Sequence, residues 1–93
     1  MGGGVMNLPK GFQADPNKAV SNKKKHGVTF EEGCSVFKDP QKITKLDDRE
    51  YDEDRYNTVG KSWFERTLNV TWTPRKDDKR IISARLAKKS DPR

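Results

Sequence analysis

The sequence predicts an α+β fold: two N-terminal helices packed on an antiparallel β-sheet. Three observations carry that expectation. Residues 15–27 are punctuated as a helix, a second capping signal follows at Thr29, and beyond residue 55 the apolar residues change from helical spacing to alternation. With 93 residues and 30% hydrophobic content the chain can bury one small core, so residues 10–93 read as a single domain behind a flexible tail of residues 1–9.

The first helix is bounded by local chemistry. Asp15 is a good N-cap, Pro16 suits the first helical position, and Gly27 can take the left-handed conformation that stops the helix after His26. Lys18, Asn22 and His26 recur at four-residue spacing and share one face, with Lys25 beside them. So basic a face is either an anion-binding surface or a solvated one. Thr29 and Glu32 form the T-x-x-E of a capping box, after which Phe30, Cys34 and Phe37 make one apolar stripe ended by Asp39-Pro40. Cys34 on that stripe reads as a small buried hydrophobe in preference to a reactive thiol.

Residues 41–46 are a candidate strand with a poor pattern, and the acidic run that follows reads as a loop. Residues 55–63 form a strand interrupted by Gly60. Residues 66–73 form a stronger one, in which Leu68, Val70 and Trp72 alternate with Thr67, Asn69, Thr71 and Thr73. The last strand, residues 80–87, places Ile82, Ala84 and Leu86 on one side and Ile81, Ser83 and Arg85 on the other. The connections 63–66 and 74–79 are short enough to make these three strands a meander. If Ile82 joins Leu68, Val70 and Trp72 against the helices, Ser83 and Arg85 lie on the open face.

Charge narrows the partner. The formal charge is +6, but residues 47–54 set Asp47, Asp48, Glu50, Asp52, Glu53 and Asp54 against Arg49 alone; that segment is −5 and the remainder +11. Such a body favours phosphate backbones. One cysteine excludes an intramolecular disulfide and fits a reducing cytoplasm. No apolar run approaches a membrane span, and the N-terminus has no apolar signal region. There is no Gly-rich phosphate loop ending in Lys-Ser or Lys-Thr, no paired His/Cys spacing for zinc and no local nucleophile signature.

Four blocks in order, D-P-N-K-A-x-x-N-x-x-K-H-G-V-x-F-E-E from Asp15, E-x-R-Y-x-T-V-G from Glu53, V-T-W-T-P-R from Val70 and R-I-I-S-A-R-L-A from Arg80, resemble the BrnT family. The resemblance implies a bacterial type II toxin of RelE-like fold that cleaves RNA. It also implies a cognate DNA-binding, BrnA-like antitoxin that masks the toxin, with operator DNA met only through the complex of the two. Two departures stand out. Ala14 takes the place of a usual aromatic, with Phe12 nearby, and the chain ends at Ser90-Asp91-Pro92-Arg93 where many members continue into a charged segment ending in tyrosine.

The candidate chemistry needs no metal and no cofactor. RNA supplies its own nucleophile, the 2′-hydroxyl, so a ribonuclease has to position the phosphate, stabilise its growing charge and move protons. Arg85 is the first candidate for phosphate contact, with Arg80 and Arg75 near the adjoining loop; the rival reading pairs Arg85 with a carboxylate. His26 can serve as general acid or base, or can cap the last helical carbonyls. Glu53 is a candidate catalytic carboxylate that can pair with Arg55 or Arg85. Lys18, Lys25, Ser83 and Thr73 are candidate RNA contacts. Tyr56 and Trp72 can stack on bases, though Trp72 sits in the apolar alternation and reads as core. The expectation is a metal-independent endoribonuclease toxin; the alternative is a non-catalytic basic module that binds nucleic acid or only a partner protein.

Overall fold

The structure, a computed structural model, describes residues 8–49 and 52–91. The elements are β1 (Phe12–Ala14), α1 (Pro16–His26), α2 (Phe30–Ser35), a 3-10 turn (Val36–Lys38), β2 (Ile43–Leu46), β3 (Tyr56–Lys61), β4 (Thr67–Arg75) and β5 (Asp78–Leu86). The local signals act as expected at α1. The Asp15 carboxylate accepts from the Asn17 N–H at 2.9 Å, and Gly27, at φ 70°, returns its N–H to the Lys23 carbonyl. At α2 only half of the capping box forms. Thr29 Oγ1 accepts from the Glu32 N–H at 3.0 Å, while the Glu32 carboxylate turns inward to Arg66 and Ser62.

The five strands form one sheet in the order β1-β5-β4-β3-β2. Every neighbouring pair is antiparallel except β1 with β5, so the sheet is mixed, which corrects the purely antiparallel expectation. β1 is three residues long, too short to show a period, and it places a strand ahead of the two helices. Leu8 packs against the core and the Pro9 carbonyl accepts from the Phe12 N–H. The tail expected through Pro9 otherwise falls on residues 1–7, which lie outside the described residues, as do Glu50 of the acidic run and the terminal Pro92 and Arg93.

β4 and β5 pair further than expected, down to Arg75 opposite Asp78, so Lys76 and Asp77 alone form the hairpin turn. Within this pair Thr71 faces Ser83 while Trp72 faces Ile81, which leaves Ile82 as the extra residue of a β-bulge. The bulge reverses part of the expected alternation. Ile81 and Ala84 are both fully buried, so Ile81, and not Ile82, joins Leu68 and Val70 under the helices. Val28, Phe30, Cys34 and Val36 close this core from above. Burial pushes the Cys34 thiol up to about 12, helped by the charge of Glu31, as befits a core residue.

α1 crosses the edge of β5 where β1 has ended. There Asn22 donates from Nδ2 to the carbonyls of Ala84 (2.7 Å) and Val28 (2.9 Å), and its Oδ1 accepts from the Ala84 N–H at 3.0 Å. The shared face of Lys18, Asn22 and His26 is therefore a docking face at its centre, and Asn22 leaves the list of anion-binding candidates. β3 runs unbroken through Gly60, contrary to the expected interruption. The glycine serves instead the close approach of the 3-10 turn: a Cβ there would lie 2.9 Å from Val36 Cγ1.

Candidate functional site

The helix-free face of the sheet carries Asn57 of β3 and most of the polar residues of β4 and β5. Asn57, Thr71 and Ser83 stand side by side in register, and so do Val59, Asn69 and Arg85. Thr73 and Arg80 form the next cross-strand pair. By simple alternation Arg80 would point away from Ser83 and Arg85, but the bulge at Ile82 shifts the parity and puts all three on this face. Around the free edge of β5, Ser83 also lines an open depression with Lys18, Ser21, Lys25, His26 and Ile82. The structure thus joins two groups of expected residues, Arg80-Ser83-Arg85 on the sheet and Lys18-Lys25-His26 on α1, with Ser83 common to both.

Each arginine of the face has a defined hold. Arg85 donates from Nη1 to Asp91 Oδ2 at 2.9 Å and from Nη2 to Asp91 Oδ1 at 3.3 Å, so the carboxylate pairing weighed for it is present, with Asp91 as the partner. Burial works to raise the Asp91 carboxyl; hydrogen bonds from Arg85 and the Lys88 N–H outweigh it and hold the group below its ordinary value. Arg80 donates from Nη1 to Gln13 Oε1 at 3.2 Å, and Gln13 in turn donates to Asp78 at 3.0 Å. Arg75 lies at the end of β4 and donates to Glu53 at 2.8 Å. Glu53 therefore pairs with neither of its expected partners. The Arg75 hydrogen bond and the charges of Arg75, Arg55 and Arg80 hold its carboxyl below the usual range, which keeps it an ionised acceptor.

Two candidates sit differently from expectation. Thr73 is 1% exposed and its hydroxyl donates to the Asp54 carbonyl at 2.7 Å, so it anchors the acidic segment to the sheet. His26 is half-buried at the end of α1, and among the described residues its imidazole has no hydrogen-bond partner; the capping bond to Lys23 comes from Gly27. Lys18 and Lys25 are exposed. Trp72 packs against the core and donates from Nε1 to Thr58 at 2.9 Å, with Tyr56 stacked on it at 5.0 Å between centroids, so neither ring stands free on the open face.

Sequence reasoning missed Asp91 and Gln13 as neighbours of the candidate arginines. Nothing in the local pattern marks them, because each gains its neighbour only when the sheet is assembled, Gln13 through the parallel pairing of β1 and Asp91 through the turn after β5. Among the described residues no three His, Cys, Asp or Glu side chains gather as a metal-ligating group. A larger groove of about 650 Å³ lies away from this face, where Pro9, Phe12, Phe37 and Trp63 give it an apolar lining. Among the described residues no helix is long and apolar enough to cross a membrane.

The family described as "Ribonuclease toxin, BrnT, of type II toxin-antitoxin system" matches residues 15–91. Among solved structures, the crystal structure of the Brucella abortus ribonuclease toxin, BrnT, aligns with a TM-score of 0.62 over 84% of this chain and 96% of that one. At 21% identity this likeness concerns the fold, and the α+β architecture with two helices on a mixed five-stranded sheet is similar to it. The comparison with curated proteins finds no match.

Proposed function

The chain belongs to the BrnT family of ribonuclease toxins of type II toxin-antitoxin systems, and from that premise we propose that it is a metal-independent endoribonuclease of RelE-like type. In this reading it acts in the cytoplasm on RNA. A cognate DNA-binding, BrnA-like antitoxin neutralises it, and operator DNA is met only through their complex.

The observation that carries the reading is the bulge at Ile82. It brings Arg80 onto the helix-free face with Ser83 and Arg85 and leaves Ser83 at the rim of the α1 depression. Attack of the 2′-hydroxyl on the adjacent phosphate builds negative charge on the non-bridging oxygens, and a guanidinium placed there stabilises the transition state more than the ground state. Arg85 is assigned to that phosphate. Arg80, roughly 15 Å away along the strand, takes a flanking one, while Lys18 and Lys25 follow the backbone around the edge of β5. Arg75, fixed by Glu53, closes the far end of the row. His26 is the candidate for proton transfer, since an imidazole is the side chain best matched to neutral pH.

The test is cleavage of free RNA in EDTA at low salt. Wild type is expected to cut, and Arg85→Ala to lose about 10²-fold or more in rate with its circular dichroism retained. Full activity in that variant removes Arg85 from the site. RNA bound by both proteins but cut by neither overturns cleavage of free RNA and leaves a binding module or a ribosome-dependent toxin.

A further inference from the structure

Arg85 has two edges on which an oxyanion can be held, and the fold occupies only one. Its Nη1 donates to Asp91 Oδ2 at 2.9 Å and to the Leu86 carbonyl at 3.0 Å, and its Nη2 donates to Asp91 Oδ1 at 3.3 Å. A guanidinium has five N–H groups in a fixed fork, so these bonds use the end of the fork. The side edge remains: Nε–H and the second Nη2–H have no partner among the described residues, and Arg85 keeps 30% of its side-chain surface exposed.

Asp91 is itself held. Its Oδ2 accepts from the Lys88 N–H at 2.7 Å, its own N–H returns to the Lys88 carbonyl at 2.9 Å, and its side chain is 13% exposed. Asn69, which faces Arg85 across the β4–β5 pair, adds a smaller effect that also lowers this carboxyl. A carboxylate clamped by this turn fixes the plane of the guanidinium that it grips. Arginine is long and flexible, and an unheld side chain would sample many rotamers before meeting a phosphate.

Resting on the ribonuclease reading above, we propose that Asp91 is the positioning residue of Arg85: it grips the end of the guanidinium and presents the side edge, Nε–H with one Nη2–H, to a phosphodiester of RNA. The opposite role, in which Asp91 competes with RNA for Arg85, requires the carboxylate to leave before a phosphate can bind. A free side edge makes that departure unnecessary.

Asp91→Asn separates the two. Asparagine keeps an acceptor for the Lys88 N–H but surrenders the charged, two-oxygen grip on Arg85. The proposal expects kcat to fall about 10- to 100-fold, the scale on which a small displacement of an oriented group is felt, with KM changed less than about threefold, and Asp91→Glu to recover part of the loss. In an Arg85→Ala background Asp91→Asn should cost nothing more. Faster cleavage and tighter RNA binding by Asp91→Asn would mean that Asp91 masks Arg85, and an equal loss in the Arg85→Ala background would mean that it acts elsewhere; either result overturns the proposal. A second readout is independent of turnover: the ¹⁵N-detected Nε–H resonance of Arg85 during titration with an RNA oligonucleotide whose 2′-hydroxyls are methylated. A shift in wild type that is lost in Asp91→Asn supports the proposal even if wild type cuts no RNA, in which case only the ribonuclease reading falls. No shift in wild type overturns it.

Discussion

β1 ends at Ala14, opposite Ile81, and the edge of β5 beyond that point is served by a side chain in place of a strand. Asn22 offers one amide N–H and one amide oxygen to the backbone of Ala84 in the pattern of a neighbouring strand, and it is 6% exposed while doing so. Asn22→Ala leaves the Ala84 N–H and carbonyl without partners in a place water reaches poorly. A single buried unsatisfied group costs about 1–3 kcal/mol, so a loss of at least about 2 kcal/mol is expected from urea unfolding, large for a domain of this size. Glu32 is the second such residue. It is 1% exposed, accepts from Ser62 Oγ at 2.7 Å and from Arg66 Nε at 3.0 Å, and pairs further with Arg66 Nη2. Burial works to raise its carboxyl, and the Arg66 and Ser62 hydrogen bonds with the Arg66 charge outweigh that, so its folded value lies below the ordinary 4.5. The sign follows from linkage: the stabilisation is complete above the unfolded value and is lost as pH falls through the folded one. Asp47, held mainly by Arg49 at about 2 against an ordinary 3.8, acts in the same direction. Stability should therefore decline steeply with acid below about pH 4.5. Glu32→Gln should flatten the upper part of that decline and cost roughly 2–3 kcal/mol at neutral pH, somewhat less than a fully enclosed pair because Arg66 reaches solvent.

At the scale of elements, the packing of the 3-10 turn on β3 depends on the absence of a side chain. An added Cβ at Gly60 would meet Val36 Cγ1 at 2.9 Å, Lys42 Cβ at 3.1 Å and Asp39 Oδ2 at 3.2 Å. Asp39 also receives the Lys61 N–H at 2.8 Å, so the turn has little room to retreat. Gly60→Ala should cost about 1–3 kcal/mol, the usual range for overpacking, read as a lower denaturation midpoint at an unchanged denaturant slope; an unchanged midpoint would show that the turn yields freely. The sequence marks this glycine as a break in a strand because it registers the lost side chain and not the neighbour that requires the loss. The same division runs through the molecule. α1 is legible because Asp15, Pro16 and Gly27 each act on their own few residues, and β4 because its alternation continues without interruption. β1 has too few residues to show a period. The bulge at Ile82 is set by where β5 meets β4 and α1, so the sequence assigns Ile82 to the core and structure assigns Ile81. In the candidate site, Ser83 and Arg85 on the open face follow from parity alone, whereas Arg80 reaches that face only through the bulge, and Asp91 and Gln13 only through tertiary neighbours.

The whole molecule is electrically divided, and the division bears on how a polyanion approaches it. The +11 body carries Lys18, Lys25 and Arg85 around one edge of the sheet, with Arg80 further along β5, while the described part of the −5 segment is tied down next to Arg80, at the Arg75 end of the same face. Three contacts fix it there: the Asp47 N–H to the Arg55 carbonyl at 2.8 Å, Thr73 to the Asp54 carbonyl at 2.7 Å, and Arg75 to Glu53 at 2.8 Å. A tethered acidic segment does more than lower the net charge. On the proposed ribonuclease reading it should repel a phosphate backbone from the Arg75 end, within a Debye length of roughly 10 Å at 0.1 M salt, and so steer RNA towards Arg85 and α1. If those four cations are the phosphate contacts, the logarithm of the binding constant for a single strand should fall with the logarithm of salt at a slope of roughly −3, since each contact contributes about −0.7. Removing one of them, as in Lys18→Ala, should reduce the slope by about that amount. Asp48→Asn with Asp52→Asn, at two exposed positions of the acidic segment, tests the steering itself. Long-range repulsion is relieved without creating a new contact, so affinity should rise at low salt and converge on wild type as salt screens the field. An increase that persists at high salt would mean that the segment touches the RNA directly, and no increase at low salt would place the RNA path away from this end of the sheet.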